Sequence, residues 1–407
     1  FEKGSKKFIG CNREVILSSG AVNSPQILLR SGIGDAKEIK KHGINVTHEL
    51  KGVGKNLQDH FAVVSQFACT QPVTLHRSAS FLKTMIAGIK YLTTGTGDAS
   101  NPPCVGGAFI KSQPNKEIPD IQIHYVSLAM QDVHGRAGVP QEHGFSNLVY
   151  LCRPQSKGYI TLKSSDPNDD PLMYPNYFSV EQDLIDTRNG LREARRVFMQ
   201  PVFDEYRGEE LKPEKNIDIN NDHELDQWIR ETGETLYHPV GTCKMGIDEF
   251  AVTNEHGQVH GTESLRVVDA SLMPSLIAGN TNAPTIMMAE KTPKIIYDFN
   301  KNSDIRDWVV VDDGVMGGVS YGSIRLDKSG NGLYRGYISL DNYGGFSSIR
   351  LRQRESNVDR YEYLVIGLHG DNKYYQFRVK SKYYDRHVYG YKFFAKDEWQ
   401  EIKIPLS

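Results

Sequence analysis

The helical periodicity that runs through most of this chain stops near residue 297, and this break constrains the fold more than any other feature. Beyond it only short stretches alternate apolar and polar residues, at 333–340, 363–368, 374–379 and 401–404, with Gly, Asn and Asp turns between them. Period-two runs punctuated in this way predict an all-β sandwich or jelly roll. Composition changes at the same place: the last cysteine is Cys243, while two of the three tryptophans, Trp308 and Trp399, fall in the β-patterned part. A chain of 407 residues also exceeds one ordinary core. Two or more domains are therefore expected, with an abrupt junction at Lys291-Thr292-Pro293-Lys294-Ile295-Ile296-Tyr297-Asp298-Phe299.

Before the junction two patterns follow one another. Residues 8–18 read as strands with a turn at 10–13. Ser24-Pro25, a hydroxyl cap followed by proline, then opens a helix carrying Ile27-Leu28-Leu29, and a short helix over 36–42 ends at Gly43. This is α/β architecture. From about residue 62, strand-like pieces at 63–67, 121–126, 148–152 and 159–162 alternate with long helices. One helix opens at Ser179 with Gln182 as a capping box and carries Leu184, Leu191, Ala194 and Phe198 on one stripe. Another starts near Asp222, packs Leu225, Trp228 and Ile229, and stops at Gly233. A large antiparallel sheet backed by helices is the expected result.

The net charge of −2 supplies no basic field for nucleic acid. No apolar run reaches the roughly 18 residues that span a bilayer; the best stretch, 81–92, is interrupted by Lys83 and Lys90. The five cysteines (Cys11, Cys69, Cys104, Cys152, Cys243) are scattered, which fits reduced thiols in a cytosolic or matrix-like compartment, peripheral membrane attachment remaining open. The start at Phe1-Glu2-Lys3 is read as a cut through a larger gene product.

Two strings carry chemistry. Gly20-Ala21-Val22-Asn23-Ser24-Pro25-Gln26-Ile27-Leu28-Leu29-Arg30-Ser31-Gly32-Ile33-Gly34 is followed by Gly52-Val53-Gly54-Lys55-Asn56-Leu57-Gln58-Asp59-His60. Later come Tyr237-His238-Pro239-Val240-Gly241-Thr242-Cys243-Lys244-Met245-Gly246, then Val268-Asp269-Ala270-Ser271, and Gly279-Asn280-Thr281-Asn282-Ala283-Pro284 leading to Glu290-Lys291. Throughout this length the chain resembles the C-terminal part of the glucose–methanol–choline (GMC) oxidoreductases, choline and alcohol dehydrogenases among them. The resemblance implies FAD as cofactor, bound beside Gly20, Ala21, Asp269, Ala270, Asn280, Thr281 and Asn282. A small residue pair lets backbone approach a dinucleotide, and a helix started by the segment 279–291 would turn its N-terminal dipole toward the flavin. It implies His238 as catalytic base, since an imidazole with an unperturbed pKa of about 6.5 can take a proton near neutrality. Asn280, preferred to Asn282 by its spacing before Lys291, would hydrogen-bond the alkoxide. By themselves His60 reads as a structural or capping residue, and His256 and His260 as solvated loop residues with no acidic or Cys cluster to complete a metal site.

The β-patterned segment resembles a second family, the complex I intermediate-associated protein 30 domain. The matching residues are Trp308-Val309-Val310-Val311-Asp312-Asp313-Gly314-Val315-Met316-Gly317-Gly318-Val319-Ser320, Gly344-Gly345-Phe346-Ser347-Ser348 and Glu398-Trp399-Gln400-Glu401. It implies a galactose-binding-like sandwich used in protein interaction, with Asp312 and Asp313 as turn formers rather than ligands.

The expected organisation is thus an α/β and α+β flavoprotein portion followed by an all-β sandwich. Residues 1–61 form the remainder of an FAD-binding domain, 62–235 an antiparallel-sheet substrate domain, 236–297 the return to the FAD-binding domain, and 298–407 the sandwich. Two departures accompany the resemblance: the family's Gly-x-Gly-x-x-Gly unit is absent, and Pro293 ends or kinks a helix that relatives continue. The sandwich also stops at Ser407 with an open edge. The polypeptide alone is accordingly expected to hold FAD poorly. The implied activity is oxidation of an alcohol by hydride transfer to the flavin, with oxygen or a quinone as electron acceptor. The alternative is a non-catalytic assembly protein acting on a protein partner through the sandwich.

Overall fold

Two short parallel strands, Val15–Leu17 and Leu265–Val267, pair in register although they lie at opposite ends of the first unit, Ile16 standing opposite Arg266. The structure, a computed structural model, describes residues 10–11, 14–78, 80–100, 104–130, 142–291, 296–297, 299–301, 303–351, 361–380 and 388–406. It divides into two compact units, Phe1–Lys294 and Ile295–Ser407. Part of the expected strand and turn at 8–13, and the junction residues 292–295 and 298 with Pro293, lie outside the described residues.

Behind the parallel pair, helix α1 (Gly20–Arg30) and helix α2 (Ala36–Lys41) bury Leu28, Leu29 and Ile39 against Val53, Val259 and Val267. Asp35 caps α2 through the amides of Lys37 and Glu38. Helix α1 departs from the expected start. It begins at Gly20, so Pro25 sits inside it, and Ser24 is not its cap. Proline has no N–H for the carbonyl four residues back, which here belongs to Ala21. That carbonyl accepts instead from the Thr242 hydroxyl at 2.6 Å. The loop that carries His238 thereby supplies the hydrogen bond that Pro25 removes.

The second half of the unit is built on a six-stranded antiparallel sheet. Its order is Arg207–Lys212, Phe61–Cys69, Gly144–Leu151, Ile121–Val126, Cys104–Ile110, with Glu234–Thr235 also pairing onto Phe61–Cys69. Strand Gly144–Leu151 is buried along its whole length, as a central strand covered on both faces must be. Helix α3 (Phe81–Thr94) has no buried residue, and no described helix is long and apolar enough to cross a membrane. Helices α4 (Glu181–Phe198) and α5 (Asp222–Thr232) cover one face with Leu184, Leu191, Leu225, Trp228 and Ile229 on Val63, Ile123 and Val149. The predicted capping box at Ser179 and Gln182 does not form. Helix α4 starts at Glu181 after Val180, whose amide bonds Ser156, while Asp183 accepts the amides of Gln155 and Ser156. The α5 boundary agrees with the sequence expectation, Asn221 capping its amides and Gly233 ending it. Helix α6 (Asn282–Lys291) closes the unit.

Among its described residues the second unit shows eight strands in four antiparallel pairs: Trp308–Asp312 with Ser347–Leu351, Tyr321–Leu326 with Gly332–Tyr337, Tyr363–His369 with Trp399–Pro405, and Lys373–Val379 with Tyr389–Ala395. Asp313 is fully buried and accepts from Ser320 N, the Ser320 hydroxyl, Gly345 N and Phe346 N. Asp312 takes Gly322 N and the Ser347 hydroxyl. The Asp-Asp-Gly and Gly-Gly-Phe-Ser motifs therefore meet as one hydrogen-bonded knot, and a carboxylate so supplied with donors needs no counter-ion.

Candidate active site

Parallel strands end on one edge, and the loops leaving that edge form the natural crevice of an α/β fold. After Leu17 the chain turns through Ser19 and Gly20, whose φ of +81° favours glycine. After Val267 it reaches Asp269, and the two loops are bolted together there. Asp269 Oδ2 accepts from Gly20 N at 3.0 Å and from the Ser24 hydroxyl at 2.5 Å. Its Oδ1 accepts from Ser271 N and the Ser271 hydroxyl. Gly20, Ala21, Asp269 and Ala270 are thus brought to one place, and a Cβ at Gly20 would meet nothing within 4 Å. The open space beside this small residue is what a cofactor's close approach requires.

The His238 loop is fastened to the same region. Gly241 N bonds Ala270 O at 3.3 Å, Cys243 N bonds Ser271 O, and Val240 exchanges backbone hydrogen bonds with Gln58. His238 itself is half-buried, and its backbone N–H donates to Asp59 Oδ1 at 2.8 Å. Asp59 Oδ2 accepts from Tyr177 at 2.6 Å and from the Thr235 hydroxyl. Burial raises the Asp59 carboxyl above its ordinary range while these donors oppose the rise. With every recorded partner a donor, Asp59 acts as an acceptor that sets the His238 backbone.

The His238 ring lies between two side chains. Its Nδ1 is 2.9 Å from His60 Nδ1, and its Nε2 is 3.4 Å from Asn280 Nδ2. His60 is fully buried, and its Nε2 is 2.9 Å from the carbonyl of Cys152, the residue after strand Gly144–Leu151. Burial depresses the His238 pKa below the ordinary histidine value, Asp59 partly opposing it. It depresses His60 to about 4, assisted by the nearby His238 and His124. Both rings are therefore neutral at pH 7.

Of the residues singled out in the sequence, His238 and Asn280 meet directly, and Asn280 rather than Asn282 carries the amide that reaches the ring. Thr281 accepts from Thr285 with its carbonyl, and Asn282 opens α6 with no acidic residue in the first turn. His260 bonds the Gly246 carbonyl through Nε2, while the His256 amide lies in an Asn254 turn. No group of three or more His, Cys, Asp or Glu among the described residues could hold a metal ion. Asp59 and His60 stand in one sequence string, with His60 reading as structural, but that both contact His238 is not foreseen from it. The available signal is the adjacent Asp-His pair at the entry to the buried strand Phe61–Cys69, where buried polar groups must find partners.

Family models described as GMC oxidoreductase match residues 1–62 and 154–289, and the complex I intermediate-associated protein 30 (CIA30) model matches 297–407. The chain is 48% identical over 279 residues to an oxygen-dependent choline dehydrogenase of Pseudomonas savastanoi pv. phaseolicola, covering 69% of this chain and 48% of the relative. A protein of the same description from Cronobacter sakazakii is 43% identical over 283 residues, covering 70% and 50%. The chain thus spans about half the length of the curated relatives it matches. Among solved structures, formate oxidase of Aspergillus oryzae superposes with a TM-score of 0.63 at 24% identity, over 69% of this chain and 53% of that one. Pyridoxine 4-oxidase from Mesorbium loti gives 0.55 at 24% identity, over 68% and 50%. Identities this low speak for the fold alone. On the family matches, the chain carries GMC oxidoreductase domains at residues 1–62 and 154–289 and a CIA30 domain at 297–407.

Proposed function

We propose that the oxidoreductase portion oxidises an alcohol in the presence of FAD, His238 taking the hydroxyl proton and Asn280 holding the oxygen. The carrying observation is the pair His238 Nε2 and Asn280 Nδ2, 3.4 Å apart. One oxygen can be met by both at ordinary hydrogen-bond lengths. FAD, when bound, supplies the acceptor for the hydride that leaves the carbinol carbon. Gly20, Ala21, Asp269 and Ala270 would hold it from the crevice edge, with Asn280, Thr281 and Asn282 at the opening of α6. The open face of Gly20 supports that fit.

The chain's own contribution is proton handling and orientation. A neutral His238 accepts the proton at Nε2, and the Asn280 amide donates to the alkoxide oxygen as charge develops on it. The carbon loses two electrons and a proton together as hydride, and the product is the aldehyde. The names of the relatives support a small amino alcohol of the choline class as substrate, with oxygen or a quinone as final acceptor. We further read residues 1–61 and 236–297 as one cofactor-binding region, 62–235 as the substrate domain, and 298–407 as a galactose-binding-like sandwich. The four antiparallel pairs of the second unit support the last reading.

The test is anaerobic reduction of FAD-reconstituted protein by choline and simple primary alcohols. His238→Ala should slow flavin bleaching by about 10²–10⁴-fold, as loss of a general base does, and Asn280→Ala should slow it less. A His238→Ala variant that reduces its flavin at the parent rate refutes the reading.

A further inference from the structure

We propose that His60 is a positioning residue that fixes His238 in the Nδ1–H tautomer, leaving Nε2 as its basic atom on the side of Asn280. The inference rests on the reading of His238 as proton acceptor, and it follows from hydrogen-bond polarity along a chain of four groups.

The chain begins at a carbonyl. His60 Nε2 lies 2.9 Å from Cys152 O, which can only accept, so Nε2 must carry the His60 proton. A neutral imidazole has a single N–H, and His60 Nδ1 is therefore a lone pair. That lone pair stands 2.9 Å from His238 Nδ1, which must donate to it. His238 then has no proton on Nε2, and the atom 3.4 Å from the Asn280 amide is a base. A main-chain oxygen anchored beside the sheet thus sets the protonation pattern of a ring in another loop. The ring of a free histidine side chain favours the opposite tautomer, with hydrogen on Nε2, so the pattern has to be imposed by the hydrogen bond the other nitrogen makes.

The surroundings keep His60 in the required state. The ring is fully buried, the Tyr150 ring packs on it at 4.8 Å, and the carbonyls of Cys152 and Ile277 face it. Its titratable neighbours are His238, His124, Tyr150 and Cys152, and none supplies a negative charge at neutral pH. Burial holds its pKa near 4, so it cannot become a second donor facing His238. Asp59 faces the His238 side instead, bonding its backbone N–H. When Nε2 gains the substrate proton, the Nδ1–H bond to His60 becomes charge-assisted and shortens rather than breaks. The nearby Asp59 carboxylate also favours the imidazolium.

The experiment is long-range ¹H–¹⁵N correlation NMR of the histidine-labelled 407-residue chain at about pH 7.5, with His238→Ala and His60→Gln used to assign the two rings. The expected spectrum has His238 protonated at Nδ1 and His60 at Nε2. In His60→Phe, His238 should turn over to mainly Nε2–H. In FAD-reconstituted protein the same variant should lose about tenfold or more in flavin reduction by alcohol. His60→Gln can accept from His238 with its amide oxygen and donate to Cys152 with its nitrogen. It should restore both the Nδ1–H signal and most of the rate. A parent protein with His238 protonated at Nε2, or a folded His60→Phe chain that keeps Nδ1–H, overturns the proposal. If His60→Phe does not fold, the parent spectrum and the glutamine rescue still decide it. Alcohol oxidation that survives His238→Ala would instead remove the proton-acceptor reading, and it would do so whatever the tautomer spectrum shows.

Discussion

Replacing Thr242 with valine tests how α1 and the His238 loop are joined. Valine keeps the shape of threonine and deletes the hydroxyl, which is fully buried and donates to Ala21 O at 2.6 Å. The acceptor is in a buried residue and has lost its ordinary helical partner to Pro25. A buried carbonyl left without a donor costs about 1–3 kcal/mol, so Thr242→Val should destabilise the first unit by that amount. On a unit of this size each kcal/mol moves the thermal midpoint by roughly 2 °C, so a fall of about 2–6 °C is expected. Pro25→Ala provides the complementary change by restoring an N–H four residues after Ala21. In that background Thr242→Val should cost markedly less, giving a coupling of about 1 kcal/mol or more in a double-mutant cycle. Urea unfolding followed by far-ultraviolet circular dichroism reads all four proteins. Thr242→Val within about 0.5 kcal/mol of the parent, or equal cost in both backgrounds, refutes the account of how Pro25 is accommodated.

Other consequences are equally open to measurement. Asp269→Asn cannot accept all four hydrogen bonds recorded at that carboxylate, and should destabilise the first unit by about 2–4 kcal/mol in the same unfolding assay. His60 has a folded pKa depressed to about 4, against about 6.5 for an unfolded histidine. Its contribution is thus fully present above pH 6.5 and is lost as pH falls toward 4, roughly 3 kcal/mol in all. His60→Gln should flatten that part of the stability profile. The His238 pKa also lies below the ordinary histidine value, so flavin reduction by alcohol should fall only on acidification below about 6.5 and stay level above it. In the second unit a Cβ at Gly344 would lie 2.5 Å from Asp313 Oδ2, so Gly344→Ala should cost about 1–3 kcal/mol, read as a lowered unfolding midpoint of residues 295–407.

What the sequence determined by itself was whatever local spacing encodes. The loss of helical period near residue 297 marked the division between the two units. The apolar stripe Leu184, Leu191, Ala194 and Phe198 identified the buried face of α4, and Asp222 to Gly233 bounded α5 closely. The motifs also named His238 and Asn280, two side chains that the fold brings into contact. Local chemistry misled where a distant partner competed for the same group. Ser24 and Ser179 both have the composition of helix caps, yet the Ser24 hydroxyl serves Asp269 and α4 begins without a side-chain cap. The tertiary structure alone decided that His60 meets His238 across 178 positions, Ser24 meets Asp269 across 245, and Thr242 reaches the Ala21 carbonyl across 221. The reason is physical: periodicity records which face of an element is buried, whereas a buried polar atom bonds whatever the converging loops bring to it. Those loops converge here because two three-residue strands from the ends of the first unit pair in parallel, Val15–Leu17 beside Leu265–Val267, and neither strand carries a mark of its partner.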